Sequence, residues 1–453
     1  VRTSDDGHLD AEDVRNLLKQ KLPEARGQRG QWVVSHLATG CERCRARVVE
    51  AVHQAMEAPA KAGEYGAAFD NAIAQAGVRA AFEHEDRARG ARAWPELRDN
   101  PPGRRLMMVR SSRRYTTPGV LEALFRDYHQ VLWRFPREGL EVALLGLEIA
   151  QRLDRRRHSA VRLADLRGEA LAIAGNAHRW AGRHGEAAPL LVEAARQLRD
   201  GSCNPLAEAQ LRTYFGDYWQ SLRRFEKAAG AYRGAEQVYR GIGERHLAAQ
   251  ALVSRAESMG YLHPEQGIRL VRRAIQDIDG ARDPELELAA HHNLAWYLND
   301  AGQGWQAREQ LLRSAGLYQR FGGHAVAALT RAWLEGRIER SLHQLDEARR
   351  LFERAWAGFQ ELDMEIHLTM LSIDRAELSV VSGELAAAAA LLRRMAVQAR
   401  TWGVSRETRS VLRRLREAVL SRRSTRGAFR QASLAVRRSW AKEGAAGGEG
   451  RSA

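Results

Sequence analysis

Four side chains near the N-terminus have the types and spacing to hold a metal ion. Cys41 and Cys44 form a C-x2-C pair, and His36 lies five residues ahead of it. Zinc prefers four nitrogen or sulfur ligands in a tetrahedron, and a C-x2-C pair at a helix start bites one ion comfortably. A histidine at the end of the preceding helix can close on the same ion. His8, 28 residues upstream of His36, is the candidate for the fourth ligand, brought back by a turn near Pro23. Four protein ligands leave no open coordination position, so this is a pattern for structural rather than catalytic zinc. Such an ion holds together a segment too small for a core of its own.

Other chemistry is poorly represented. The sequence has no phosphate loop, no nucleophile elbow and no H-E-x-x-H run. His291, His292 and Asn293 form a tempting triplet, but adjacent residues point to different faces of a helix. One histidine is expected to pack and the other to face a groove. Cys203, alone in GSCNP, reads as a turn residue. The chain is therefore expected to be no enzyme and to take no small-molecule substrate. Three cysteines suit a reducing compartment better than a disulfide framework. No run of 18 apolar residues occurs, and the opening VRTSDDGHLDAEDV has neither an apolar core nor a cleavage pattern. A cytoplasmic protein without a membrane span is the expectation.

The elements that must carry the metal candidates are helices. Leu9, Val14, Leu17 and Leu18 are spaced for one helix face over 9–22, with further helices expected over 28–37 and 42–56. The text LLKQKLPEARGQRGQWVVSHLATGCERCRARV, within residues 8–56, resembles the zinc-binding domain of bacterial anti-sigma factors. Members of that family have an initial His or Cys, a short helix, and then His-x3-Cys-x2-Cys; here the first gap is four residues. The resemblance implies a small helical domain over 1–56 that docks on a regulatory partner, often a sigma factor. It also implies that the zinc can be redox-sensitive, since some members release it on oxidation of the cysteines.

Residues 57–117 read as a linker containing one helix. Pro59, Gly63 and Gly66 open it, a weak helical pattern covers 67–91, and WPELRDNPPGRR then excludes a continuous helix. From 118 to 440 one unit is copied down the chain. Gly175, Gly216, Ala256, Ala295, Gly336 and Ala376 recur at intervals of 39 to 41 residues. Twelve residues beyond each come Ala187, Ala228, Ile268, Ala307, Ala348 and Ala388, and seven further on Ala194, Ala235, Ile275, Ser314, Ala355 and Met395. Small residues at fixed offsets mark close helix crossings, and a fixed period of this size marks a solenoid. The fold class is all-α: a helical-hairpin solenoid preceded by the small zinc domain. Gly185, Pro264, Gly304 and Gly383 fall where the paired helices must turn. The last hairpin, near 406–440, is expected to cap the stack, and the tail 441–453 to be disordered.

These offsets resemble the tetratricopeptide repeat, with about 40 residues per unit against that family's more usual length of about 34. RRFEKAAGAYRGAEQVYR and HQLDEARRLFERAWAGF are similar to its second helix. The resemblance implies that the first helix of each hairpin lines a groove that binds a peptide or a helix of a protein partner. Mapped onto this sequence, the groove positions are Asn176, Arg179, Asp217, Gln220, His292, Trp296, Asn299, Arg337 and Arg340. Trp296 is expected to be exposed there. The net charge of +15 adds an alternative. Residues 403–453 and 100–118 supply fourteen of those charges (+9 and +5), which leaves the rest nearly neutral. The basic hairpin admits three readings: a solvated cap, a dock for an acidic protein surface, or a nucleic-acid contact. The last would use Arg104, Arg105, Arg413, Arg414, Arg416, Arg422 and Arg423 and weaken steeply with salt.

Overall fold

The computed structural model describes residues 47, 83–134, 136–321, 324–401 and 406–439. His8, His36, Cys41 and Cys44 lie outside the described residues, as does the tail 441–453. All regular structure among the described residues is helical. The chain divides into two compact units, residues 1–218 with 237–244 and residues 219–236 with 245–453.

The first unit contains α1 (83–98), α2 (Pro102–Ser111), a 3-10 turn (Arg113–Tyr115), α3 (Pro118–Arg134), α4 (Pro136–Gln151), α5 (Ala160–Trp180) and α6 (His184–Asp200). Two helices, α7 (Pro205–Ser221) and α8 (Phe225–Gly241), straddle the division. The second unit continues with α9 (Arg245–Met259), α10 (Pro264–Ile275), α11 (Pro284–Asp300), α12 (Gly304–Arg313), α13 (Ala315–Arg320) and α14 (Ala325–Ser341). It closes with α15 (Leu345–Glu361), α16 (Glu365–Val381), α17 (Leu385–Thr401), α18 (Arg406–Leu420) and α19 (Arg426–Ser439).

The recurring small residues sit where the spacing places them. Ala187, Ala194, Ala228, Ala235, Ala256, Ala295, Ala307, Ala348, Ala355, Ala376 and Ala388 are all fully inaccessible. A methyl group on Gly175 would lie 2.9 Å from the Leu191 side chain, and one on Gly336 would lie 2.7 Å from the Phe352 ring. The repeat at Ala256 departs by one residue: Ala274 is inaccessible while Ile275 is only half-buried. In α10 the buried set is Pro264, Gly267, Ile268, Val271 and Ala274, one stripe at helical spacing. Burying a side chain the size of Val271 or Ile268 contributes about 1.5–3 kcal/mol, so an acidic residue at either position would break the hairpin.

Helix ends follow from local chemistry. The α11 helix starts with Asp283, whose carboxylate accepts from Leu286 N–H at 2.9 Å, then Pro284 and two glutamates in the first turn. Most hairpin turns repeat one geometry. Arg183, Gln303, Gln344 and Glu384 N–H donate to the carbonyls five residues back, at 2.9, 2.9, 2.9 and 2.7 Å. The preceding residue is left-handed: Gly182, Gly302, His343 and Gly383 have φ of 73°, 81°, 61° and 78°. This satisfies the orphan carbonyls of the first helix. Gly383 is therefore a turn residue as expected, whereas Gly185 and Gly304 stand in the first turn of α6 and α12.

Two segments differ from the sequence reading. Part of the span read as a linker is α1 and α2, which carry Ala93, Trp94, Leu97 and Val109 into the first unit's core. Trp94 Nε1–H donates to Asp127 at 2.6 Å. The break the prolines predict falls at residues 99–101, between the two helices. At the other end, α18 stacks on α17, but α19 packs against α16 as well as α18. Phe429, Ala432 and Val436 of α19 are buried in the core that holds Ala249, Leu294 and Leu371. The last hairpin does more than cap the stack.

Candidate partner-binding face

In the second unit the first helices of successive hairpins, α9, α11, α14 and α16, touch in series and form one face. Their groove candidates do come together, but as a packed ionic floor rather than as free side chains. Arg337 donates to Asp300 at 2.6 Å and to Asp374 at 2.9 Å. Arg340 donates to the other oxygen of Asp374 at 3.0 Å, to its carbonyl at 2.9 Å, and pairs with Glu377 at 2.8 Å. Trp333 Nε1–H adds a third donor to Asp374 at 2.8 Å. Burial alone would raise the Asp374 pKa, yet the Arg337 and Arg340 guanidiniums hold it below the usual carboxylate range. Burial likewise raises Glu377, against the pull of Arg340. Arg337 stays charged: burial opposes its charge, but Asp374 and Asp300 overcome that and move its pKa upward.

Trp296 is not exposed. It is 4% accessible, with the Arg337 guanidinium 4.3 Å above its ring and the Trp333 ring edge-on at 5.2 Å. The indole the sequence assigned to a ligand is already stacked. Asn299 is wholly buried, and neither its Nδ2 nor its Oδ1 has a hydrogen-bond partner. His292 shares a 2.7 Å hydrogen bond with the Tyr318 hydroxyl, and burial lowers its pKa to about 4, so the ring is neutral. His291 shares one with Gln310 at 2.6 Å, and Asn293 donates to Glu257 at 3.1 Å. The triplet thus serves packing on several sides. Gln220 accepts from Ser258 at 2.8 Å.

The first unit holds the remaining three candidates. Arg179 donates to Asn176 at 2.9 Å, lies 3.9 Å from Asp217, and stacks over Trp180 at 5.0 Å. Asn176 is buried, so this cluster positions Arg179 more than it presents a free amide.

Asp300, Trp333, Asp374 and Glu377 were missed from sequence. A signal existed: Asp300, Arg337 and Asp374 are separated by 37 residues each way. That is one repeat less about one helical turn, which brings a carboxylate level with the arginine on the neighbouring first helix.

Among the basic candidates, Arg105 is buried and donates to the Asn100 and Arg98 carbonyls at 2.6 and 2.7 Å. It closes the turn between α1 and α2 and is unavailable to a phosphate. Arg104, Arg413, Arg414, Arg422 and Arg423 are exposed. Arg413 and Arg416 join Arg393 and Arg409 around a cleft of about 470 Å³ between α17 and α18. Cys203 is exposed in a left-handed turn with φ 55°, as its setting suggested. Among the described residues, no three metal-ligating side chains cluster, and no helix is long and apolar enough to cross a membrane.

No protein-family model matches the chain, and no curated protein matches its sequence. Solved structures do share its fold. A Rap protein complexed with Competence and Sporulation Factor is similar at TM-score 0.53 and 13% identity, over 69% of this chain and 85% of that one. The apo form of RapI gives 0.49 and 11%, over 69% and 85%. Aspartyl phosphate phosphatase F from Bacillus subtilis gives 0.44 and 14%, over 75% and 91%. The first establishes a shared helical-repeat fold.

Proposed function

We propose that the chain is a non-enzymatic adaptor or regulator, and that the first-helix face of its second unit receives a peptide or helix from a protein partner. One observation carries the reading: a helix, α19, already lies on that face against α16, with its apolar stripe buried. A surface that seats one helix has the shape and chemistry to seat another. The likeness to a Rap protein that was solved with a bound factor supports this. The carboxylates of the ionic floor are each paired with its own arginines, which suits recognition more than catalysis.

In the same reading, His8, His36, Cys41 and Cys44 hold one structural zinc in residues 1–56. That segment docks a regulatory partner, for which the anti-sigma resemblance names a sigma factor, and the protein works in the cytoplasm. The test begins with mass spectrometry of proteins that co-purify with the tagged chain from its host after nuclease treatment. A photo-crosslinking residue at Tyr261 should then capture the same protein. Recovery of no protein, or capture only by residues off this face, refutes the reading.

The cleft at Arg393, Arg409, Arg413 and Arg416 favours one alternative, a nucleic-acid-binding regulator. Its mark would be affinity for single- or double-stranded DNA or RNA that falls steeply as salt rises.

A further inference from the structure

Building on that reading of the face, we propose that its partner is a basic amphipathic helix. The chain's own α19 occupies the partner's place and holds the face closed in cis.

The bonds that seat α19 reach far along the chain. Arg430 donates through Nε and Nη2 to the Tyr261 carbonyl, at 3.3 and 2.9 Å, and through Nη2 to the Leu262 carbonyl at 2.9 Å. Arg426 donates to the Asn299 carbonyl at 2.7 Å. The Tyr261 and Leu262 carbonyls lie just beyond the C-terminal end of α9, and the Asn299 carbonyl, which also accepts from Gly302 N–H at 3.0 Å, lies in the last turn of α11; the helix dipole is negative at both ends. Guanidinium is the side chain best suited to such a site.

Charge points the same way. Asp300, Asp374 and Glu377 face only Arg337 and Arg340 in the floor, so the floor carries one excess negative charge before α19 arrives. The arriving helix brings Arg426 and Arg430, one turn apart, and Arg426 acts on Glu377 electrostatically. Phe429, Ala432 and Val436 form the apolar stripe between them and the core. The partner is thereby specified: two basic residues four apart, with apolar residues three, six and ten beyond the first.

The cis fit is also incomplete, which a displaceable latch requires. Both amide atoms of Asn299 and Nε of Arg337 are buried without a partner, each an uncompensated desolvation penalty. A cleft of about 40 Å³ remains, with Tyr261, Trp296 and Met370 on one side and Ser433 and Leu434 of α19 on the other. A helix that fills the cleft, which Arg337 lines, would win the site.

The experiment compares the full chain with its R426E/R430E variant, using a fluorescein-labelled peptide of residues 422–440 as probe. In the variant, hydrogen exchange of the α19 amides should accelerate while α9 to α16 stay protected. The variant should bind the peptide about tenfold more tightly than the wild-type chain does, the loss expected for charge-assisted bonds. A peptide carrying the same two reversals should not bind. Arg430→Lys keeps the charge but loses the forked geometry, and should give an intermediate rise in exchange even if the double variant folds poorly. Unchanged α19 exchange in both variants overturns the latch. Faster exchange with no peptide binding to any chain overturns the binding-face reading and this proposal with it, while leaving the α19 contacts themselves intact. Dimerisation of the opened chain through swapped α19 would make the partner a second copy and overturn the assignment to another protein.

Discussion

Asp374→Asn isolates the charge at the centre of the ionic floor. The change keeps the size of the side chain and one acceptor for Trp333, but leaves the buried guanidiniums of Arg337 and Arg340 short of a counter-charge. Arg337 keeps Asp300 and Arg340 keeps Glu377, so the loss belongs at the lower end of the range for breaking a buried pair, about 3 kcal/mol. For a unit of this size that lowers the melting temperature by roughly 6–12 °C. Differential scanning calorimetry and urea unfolding of the full chain would measure it, with Glu193→Gln as a control. Glu193 pairs with Arg196 on the surface, at 39% and 58% exposure, and its loss should leave the unfolding transition nearly unchanged. The pH profile sharpens the prediction. Asp374 has a folded-state pKa below its unfolded value, so its stabilisation is fully present above the unfolded pKa of about 3.9 and disappears as pH falls through the folded one. Wild type and variant should therefore stay equally far apart from neutral pH down to about pH 5, and converge only in stronger acid. A cost below about 1 kcal/mol would refute the reasoning. So would a difference erased by about 0.5 M salt, because that is the signature of a screened surface pair.

Three further outcomes are expected. Gly336→Ala should destabilise by about 1–3 kcal/mol through overlap with Phe352, whereas Gly230→Ala, which meets nothing within 4 Å, should stabilise by up to about 1 kcal/mol; chemical denaturation of both variants checks the crossing register. His292, neutral in the fold with a pKa of about 4, binds its proton more readily when unfolded, so the wild-type chain should lose stability as pH falls from 6.5 toward 4. His292→Phe should flatten that segment of the profile, at the expense of the Tyr318 hydrogen bond. For the N-terminal ligand set, elemental analysis should find one zinc per chain in the wild type and none in a Cys41→Ser/Cys44→Ser variant. Equal zinc in both would remove the metal domain from the proposal.

The repeat was legible because steric exclusion leaves a strong mark on sequence. Only glycine fits without a shift where Gly175 meets Leu191 or Gly336 meets Phe352, and alanine fills most of the equivalent crossings, so the register could be read from residue size alone. The one slip, Ala274 for Ile275, comes in α10, where the crossing is made by Gly267 and Ala274. The groove was legible only in part. Mapping repeat positions located Trp296, Arg337 and Arg340 on the right helices but left their partners unknown, and an arginine without a known partner reads as free. Exposure was inferred for Trp296 because the repeat resemblance maps its position onto the groove; Arg337, one repeat further on, covers its ring. Nothing local in R-G-A-F-R announced that Arg426 and Arg430 would reach carbonyls 127 and 169 residues distant. Those acceptors are backbone oxygens, available at every helix end whatever the sequence, so the choice between them is made by the path of the chain. That is also why the hairpin that carries them could be read, from its other arginines, as a phosphate-binding surface. A guanidinium's chemistry is the same for a phosphate oxygen and a helix-end carbonyl, and what separates the two readings here is where α19 lies.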